Sequence, residues 1–83
     1  MSIPVRVTIL FRDNCHLCTV VYGIALHLQL ELSIEIRKVS IEGDSVLMER
    51  YGARVPVVLL DEVEHFARAV PEGELRRAIK KAR

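Results

Sequence analysis

Cys15 and Cys18 are the only cysteines among the 83 residues, and they stand three positions apart as Cys15-His16-Leu17-Cys18. A disulfide across two intervening residues closes a very small loop and restricts the unfolded chain little, so structural stapling is a weak explanation for the pair. Metal binding and redox chemistry remain. A zinc site built on Cys15, Cys18 and His16 requires ligands that converge tetrahedrally, and the second Cys-X-X-Cys or His pair of a zinc motif is absent. For redox chemistry the reactive form is the thiolate, and the first turn of a helix favours it by aiming unpaired N–H groups and the positive end of the dipole at the first cysteine. Cys18, one turn on, is within reach to attack a mixed disulfide formed at Cys15. Position thus assigns Cys15 as nucleophile and Cys18 as resolving thiol.

Those roles require a helix that opens at the pair, and the flanking pattern provides it. Val5, Val7, Ile9 and Phe11 alternate with Arg6, Thr8 and Leu10, the period of a strand, with Leu10 making the second face apolar as well. Asp13-Asn14 supplies turn and N-cap chemistry for a helix from about Cys15 to Leu30, whose buried face is expected to be Leu17, Val21, Ile24 and Leu28. His16, Thr19, Gly23 and His27 form a narrow polar stripe opposite. Leu32, Ile34 and Ile36 begin a second strand reaching about Val39, and strand-helix-strand implies a right-handed crossover with parallel strands. Asp44 is the expected N-cap of a short helix through Tyr51 with Val46, Leu47 and Tyr51 on one side, and Gly52 the expected left-handed residue that ends it. Val55 to Leu60 is an apolar run opened by Pro56, typical of a strand buried on both faces. Asp61-Glu62 turns it into the hairpin strand Val63 to Ala67. Pro71 opens a last helix with Leu75, Ala78, Ile79 and Ala82 as its stripe. The predicted order is βαβαββα, an α/β fold, in one domain spanning residues 1–83.

Composition narrows the classes of function. With 51% hydrophobic and 28% charged residues the chain reads as a soluble globular domain. Twelve Lys and Arg against eleven Asp and Glu give a net charge of +1, which provides no field for nucleic acid or an anionic membrane. The basic residues Arg76, Arg77, Lys80, Lys81 and Arg83 follow Glu72 and Glu74, the polarity that opposes the macrodipole of a terminal helix. The stretch Leu17 to Leu30 falls short of a membrane span. Met1 to Arg6 lacks the features of a signal peptide, so a cytoplasmic setting, in which the dithiol is the resting form, is expected.

The Cys-X-X-Cys after the first strand, Val55-Pro56 opening the third, and the βαβαββα order resemble the thioredoxin superfamily, most closely its small glutaredoxin-like members. The segment Glu49-Arg50-Tyr51-Gly52-Ala53-Arg54-Val55-Pro56-Val57 is similar to the Tyr-Gly-X-X-X-Pro stretch of those proteins. The resemblance implies a four-stranded mixed sheet flanked by three helices, a cis Val55-Pro56 bond facing the cysteines, and a Val55 backbone that pairs with an extended disulfide substrate. It also implies thiol-disulfide oxidoreductase activity without a bound cofactor, with a disulfide-containing protein or glutathione as partner and a monomer as the working unit. Arg12 matches the basic residue found before the first cysteine in glutathione-using members. Leu17 stands where they carry an aromatic residue, and Phe66-Ala67-Arg68-Ala69-Val70-Pro71-Glu72 lacks their glycine pair.

The expected substrate surface is therefore Arg12, His16, Leu17, Arg54, Val55, Pro56 and Arg68, with the three arginines available for a peptide carboxylate. His16 sits either as a partial cation beside the thiolate or as a solvated first-turn residue, whereas His27 and His65 are expected on a helix surface and in the hairpin. Phe11 and Tyr51 are expected in the core. A different class remains open: a thioredoxin-fold scaffold whose cysteines hold a metal or an iron-sulfur cluster. A redox-inert relative that kept the fold is a third reading.

Overall fold

A computed structural model describes residues 3–82. Its elements, in chain order, are β1 (Val5–Phe11), α1 (His16–Gln29), β2 (Ile34–Ser40), α2 (Ser45–Tyr51), β3 (Val57–Leu60), β4 (Val63–Ala67) and α3 (Glu72–Ala82). The βαβαββα order is as the sequence patterns predict. Met1, Ser2 and Arg83, on which the leader and basic-terminus expectations partly fell, lie outside the described residues.

The sheet runs β2-β1-β3-β4, with β1 and β2 parallel and β3 antiparallel to both β1 and β4. Alternation along the central strands divides the core in two. Val5, Val7, Ile9, Val58 and Leu60 face α1 and α3, meeting Val21, Ala25, Leu28, Leu75 and Ile79. On the other face Leu10 and Val57 pack with Ile41 and Tyr51 beneath α2. Both faces of β1 are thus covered, which is why Leu10 breaks the polar alternation.

Several local features differ from the sequence expectation. Helix α1 is rotated so that Cys18, Val21, Ala25 and Leu28 are buried, while Leu17 is 46% exposed. The small side chains at 18 and 25 let the helix approach the sheet along that line, which the larger Leu17 and Ile24 would hold apart. Its N-cap is Cys15 rather than Asp13 or Asn14; Asn14 takes a left-handed φ of 57° in the preceding turn. Val46 is 68% exposed, leaving Tyr51 as the buried anchor of α2, with Asp44 capping the Val46 and Leu47 amides as expected. Gly52 remains right-handed, at φ −52°, so it is not a left-handed terminator; a Cβ there would collide with the Met48 carbonyl oxygen. Strand β2 begins at Ile34, Leu32 being buried in the turn before it. Tyr51 is core as expected, but Phe11 is half-buried at the rim.

The β3–β4 hairpin turns on Asp61 and Glu62, both at positive φ (47° and 75°), the backbone of a two-residue turn whose twist suits the strands. Asp61 is anchored by reciprocal hydrogen bonds with the Arg6 backbone: the Arg6 amide donates to Asp61 Oδ1 and the Asp61 amide to the Arg6 carbonyl, each at 2.9 Å. Among the described residues Glu62 has only an exposed ion pair with Arg6 to offset its backbone strain. Glu62→Gly is therefore expected to raise the unfolding free energy by about 0.5–1 kcal/mol, read from denaturant midpoints. An unchanged or lower midpoint would show that the Arg6 pair outweighs the strain.

Helices α1 and α3 are joined at their ends by charge. Arg76 donates to Glu31 at 3.2 and 2.9 Å and to Glu72 at 3.1 Å, and Glu72 also meets His27 Nδ1 at 2.9 Å. The Arg76 hydrogen bond holds the Glu31 carboxyl below its ordinary range. A depressed acid stabilises the fold above its unfolded-state pKa and loses that contribution as pH falls through the folded value. Thermal melts should accordingly soften on the acid side of about pH 4.3, and less steeply in Glu31→Gln. The effect is small because the pair is exposed to solvent.

Candidate active site

Strand β1 delivers the cysteines. It ends at Phe11, Arg12 to Asn14 turn the chain, and Cys15 caps α1 from an extended backbone (φ −110°, ψ 103°). The Cys15 Sγ accepts the Cys18 amide at 3.2 Å, and the Cys15 carbonyl accepts the first helical bond from the Thr19 amide, also at 3.2 Å. The two sulfurs are joined as a disulfide with Cα atoms 5.2 Å apart, inside the range that a disulfide spans without backbone movement. Their surroundings differ. Cys18 is 5% exposed and belongs to the buried face of α1, whereas Cys15 is half-buried at the helix start.

A cavity of about 510 Å³ opens beside the disulfide, with Ile9 and Phe11 of β1 and Thr19 of α1 around it; Arg12, His16 and both cysteines also border it. Sequence reasoning missed one of its walls, Lys38. The β1–β2 register sets Lys38 opposite Ile9, on the α1 face of the edge strand. Its ammonium lies 4.8 Å from the Phe11 ring centre and 4.3 Å from that of Tyr22, so two aromatic faces hold a cation beside the sulfurs. The signal was present in the sequence as a lysine breaking the apolar series Ile34, Ile36 on that face.

The second loop of the site comes from β3. Val57 pairs with Leu10, which brings Pro56 to the end of the sheet where β1 runs into the cysteine turn. The Val55-Pro56 bond is cis. Of the three arginines expected here, two brace this segment: Arg12 Nη1 donates to the Gly52 carbonyl and Arg68 Nη1 to the Ala53 carbonyl, both at 3.2 Å. The Arg68 amide also bonds the Pro56 carbonyl at 2.7 Å. Arg54 is engaged elsewhere. It makes a two-pronged ion pair with Glu64 of β4, which raises its pKa, and lies over the Tyr51 ring. His27 and His65 are away from the cysteines, on the α1 surface and in the hairpin, as expected. Among the described residues no three His, Cys, Asp or Glu side chains gather in a metal-binding cluster.

A disulfide at a helix start and a cis proline lie at the same end of a four-stranded mixed sheet, and the comparisons agree on the lineage. The profile of the family described as Glutaredoxin-like domain (DUF836) matches residues 6–80. The chain belongs to that family. Proteins Mb0520 of Mycobacterium bovis and Rv0508 of Mycobacterium tuberculosis, both described as uncharacterized, are each 34% identical to this glutaredoxin-like chain over 84 residues, spanning 95% of it and 86% of their own length. Among solved structures, protein Ne2328 of Nitrosomonas europaea superimposes with a TM-score of 0.83 at 22% identity, covering 95% of both chains. A structural-genomics target protein from X. campestris gives 0.80 at 26% identity over 93% of this chain and 99% of its own. A mutant thioredoxin from Halobacterium salinarum gives 0.70 at 21% identity, covering 93% of this chain and 73% of its own. The glutaredoxin-like chain thus has the α/β thioredoxin-like fold that its motifs implied, with three helices around a four-stranded mixed sheet.

Among the described residues no helix is long and apolar enough to cross a membrane.

Proposed function

We propose that this glutaredoxin-like protein is a thiol-disulfide oxidoreductase that cycles between the Cys15–Cys18 disulfide and the dithiol. The observation that carries the reading is the asymmetry of the pair: a half-exposed Cys15 at the N-cap of α1, bridged to a Cys18 that is buried one turn later. In the reduced protein the Cys15 thiolate keeps the Cys18 amide as a hydrogen-bond donor and faces the positive end of the helix, both of which favour the charged form. It attacks a substrate disulfide, forming a Cys15–substrate bond while the departing sulfur leaves with the electron pair and takes up a proton. The Cys18 thiolate then displaces the substrate's second sulfur from Cys15. The substrate leaves as a dithiol, or as two thiols, and the protein as the disulfide.

Substrate binding is assigned to the surface around the pair. Exposed Leu17 offers an apolar contact, His16 and Arg12 border the sulfurs, and the Val55 backbone lies beyond the β3 ladder, free to pair with an extended chain. Pro56 and Arg68 fix that segment from its other side. No bound cofactor enters the cycle, and the electron source is a thiol, glutathione or a protein dithiol. Arg54 is left out of the binding set, because Glu64 already takes its charge.

Equilibrating the protein with glutathione buffers of graded ratio, quenching with a thiol-alkylating reagent and weighing the products tests this. A reversible two-electron transition between bridged and doubly alkylated forms is expected. A pair that stays in one state across the whole range would end the proposal.

A further inference from the structure

The sheet leaves two strands with one side unpaired, β2 and β4. Strand β4 is a poor template for another chain, because it has five residues and its ladder with β3 is irregular between Val58 and Leu59. Strand β2 lacks these defences. Its seven residues keep an unbroken register with β1 and include no proline or glycine. Lys38, which could guard such an edge from solvent, holds its ammonium over the Phe11 and Tyr22 rings instead.

The ladder also fixes which backbone groups of β2 are free. The Val5 amide donates to the Ser33 carbonyl at 3.2 Å, and the Ile41 amide to the Phe11 carbonyl at 3.0 Å. Residues of that parity turn their backbone toward β1, so Ile34, Ile36, Lys38 and Ser40 turn theirs outward. Among the described residues these outward groups have one partner, the Gln29 side chain, which donates to the Ile34 carbonyl at 3.4 Å. On the α2 face of the same strand Glu35 and Arg37 are both exposed, and among the described residues neither has an ion-pair partner.

A second copy of the strand meets all of these groups. When two β2 strands pair antiparallel about a two-fold axis at Ile36, the two Ile36 residues exchange amide and carbonyl bonds, and each Ile34 does the same with Lys38 of the other copy. Glu35 of each copy then stands opposite Arg37 of the other, at non-hydrogen-bonded positions whose Cα atoms are about 4.5 Å apart. Moving the axis one residue either way sets Glu35 or Arg37 against its own counterpart, so charge selects the Ile36 register. The half-buried Ile36 side chains meet on the opposite face and add apolar contact.

We infer that the outer edge of β2 is a homodimer interface, through which two copies join their sheets into one, in place of the monomer that the resemblance implied. The inference stands apart from the exchange reaction proposed above. Because the paired strands run in opposite directions, the two cysteine turns lie at opposite ends of the joined sheet.

Sedimentation velocity over a range of about 10 µM to 1 mM tests the interface, since the dimer fraction rises with concentration by mass action. The wild-type protein should pass from monomer to dimer across that range. Glu35→Arg and Arg37→Glu should each weaken association by about tenfold or more, because either one turns both cross-strand pairs into like-charge pairs. Mixed in equal amounts, the two variants should associate again, since only their heterodimer sets arginines against glutamates. The double variant carrying both changes should regain self-association on its own. Circular dichroism of each variant should match the wild type, both positions being exposed. In the concentrated wild-type protein the Ile36 and Lys38 amides should exchange more slowly with deuterated solvent than in the dilute protein. A wild-type chain that stays monomeric, a dimer that both charge reversals leave intact, variants that do not recover on mixing, or amides at 36 and 38 that gain no protection would each overturn the interface.

Discussion

Replacing Cys15 with serine should reduce disulfide exchange to background, a loss of roughly a thousandfold or more, equivalent to about 4 kcal/mol of transition-state stabilisation. A hydroxyl neither ionises in the working pH range nor forms a disulfide, so the first covalent step disappears. The substitution is informative because it should not harm the fold. Serine is among the best N-cap residues, and its oxygen can take over the Cys18 amide that Cys15 Sγ now accepts. The circular dichroism spectrum should therefore be retained while turnover of a small disulfide substrate is lost. Cys18→Ser separates the two steps: attack by Cys15 survives, resolution does not, and mass spectrometry of the product should find a mixed disulfide on Cys15. Undiminished turnover in Cys15→Ser would overthrow the mechanism, and mixed disulfides on Cys18 would reverse the roles.

The largest expected effect on stability lies away from the sulfurs, at Leu75. Helix α3 is strongly amphipathic, and Leu75 and Ile79, one turn apart, are its fully buried residues. They pack on the same side of the sheet as α1, in the cluster containing Val58, Leu60 and Val70. Leu75→Ala removes three buried carbons and leaves a void that close-packed neighbours fill only partly, at a cost of about 2–5 kcal/mol. For a domain whose whole stability is on the order of 5–10 kcal/mol, that is a large fraction. The melting temperature should fall by roughly 10–30 °C. The polar links from Arg76 to Glu31 and Glu72 cannot compensate, being exposed and screened. A shift of only a few degrees would mean that α3 closes over the gap.

Most of the architecture was legible because its signals are local. Alternation gave β1 and β2, Asp44 gave the start of α2, and the buried run after Pro56 gave β3. The orientation of α1 was not legible. Leu17, Val21, Ile24 and Leu28 form as good an apolar stripe as Cys18, Val21, Ala25 and Leu28, and only contact with the sheet favours the smaller residues. The cysteine pair and Val55-Pro56 were readable from spacing and residue type. The fates of the arginines were not, since Arg54 meets a glutamate ten residues on across the β3–β4 hairpin, and Arg68 occupies a left-handed turn with no glycine to announce it. Lys38 was hidden for a related reason: its neighbours Phe11 and Tyr22 are brought to it only by strand pairing and helix docking.

The position of β1 between β2 and β3 has a consequence for how the molecule breathes. A strand paired on both edges and covered on both faces opens only when much of the protein opens with it, so its amides should be among the last to exchange with deuterated solvent. Cys15 follows this strand after the three turn residues Arg12 to Asn14 and is fastened at the start of α1 through its carbonyl and sulfur. The loop from Gly52 to Pro56 lies outside the sheet ladder but is held by the Arg12 and Arg68 side chains, by the Arg54–Glu64 ion pair and by the fully buried Pro56. Both walls of the candidate site are therefore expected to open with the body of the fold rather than as a loose loop.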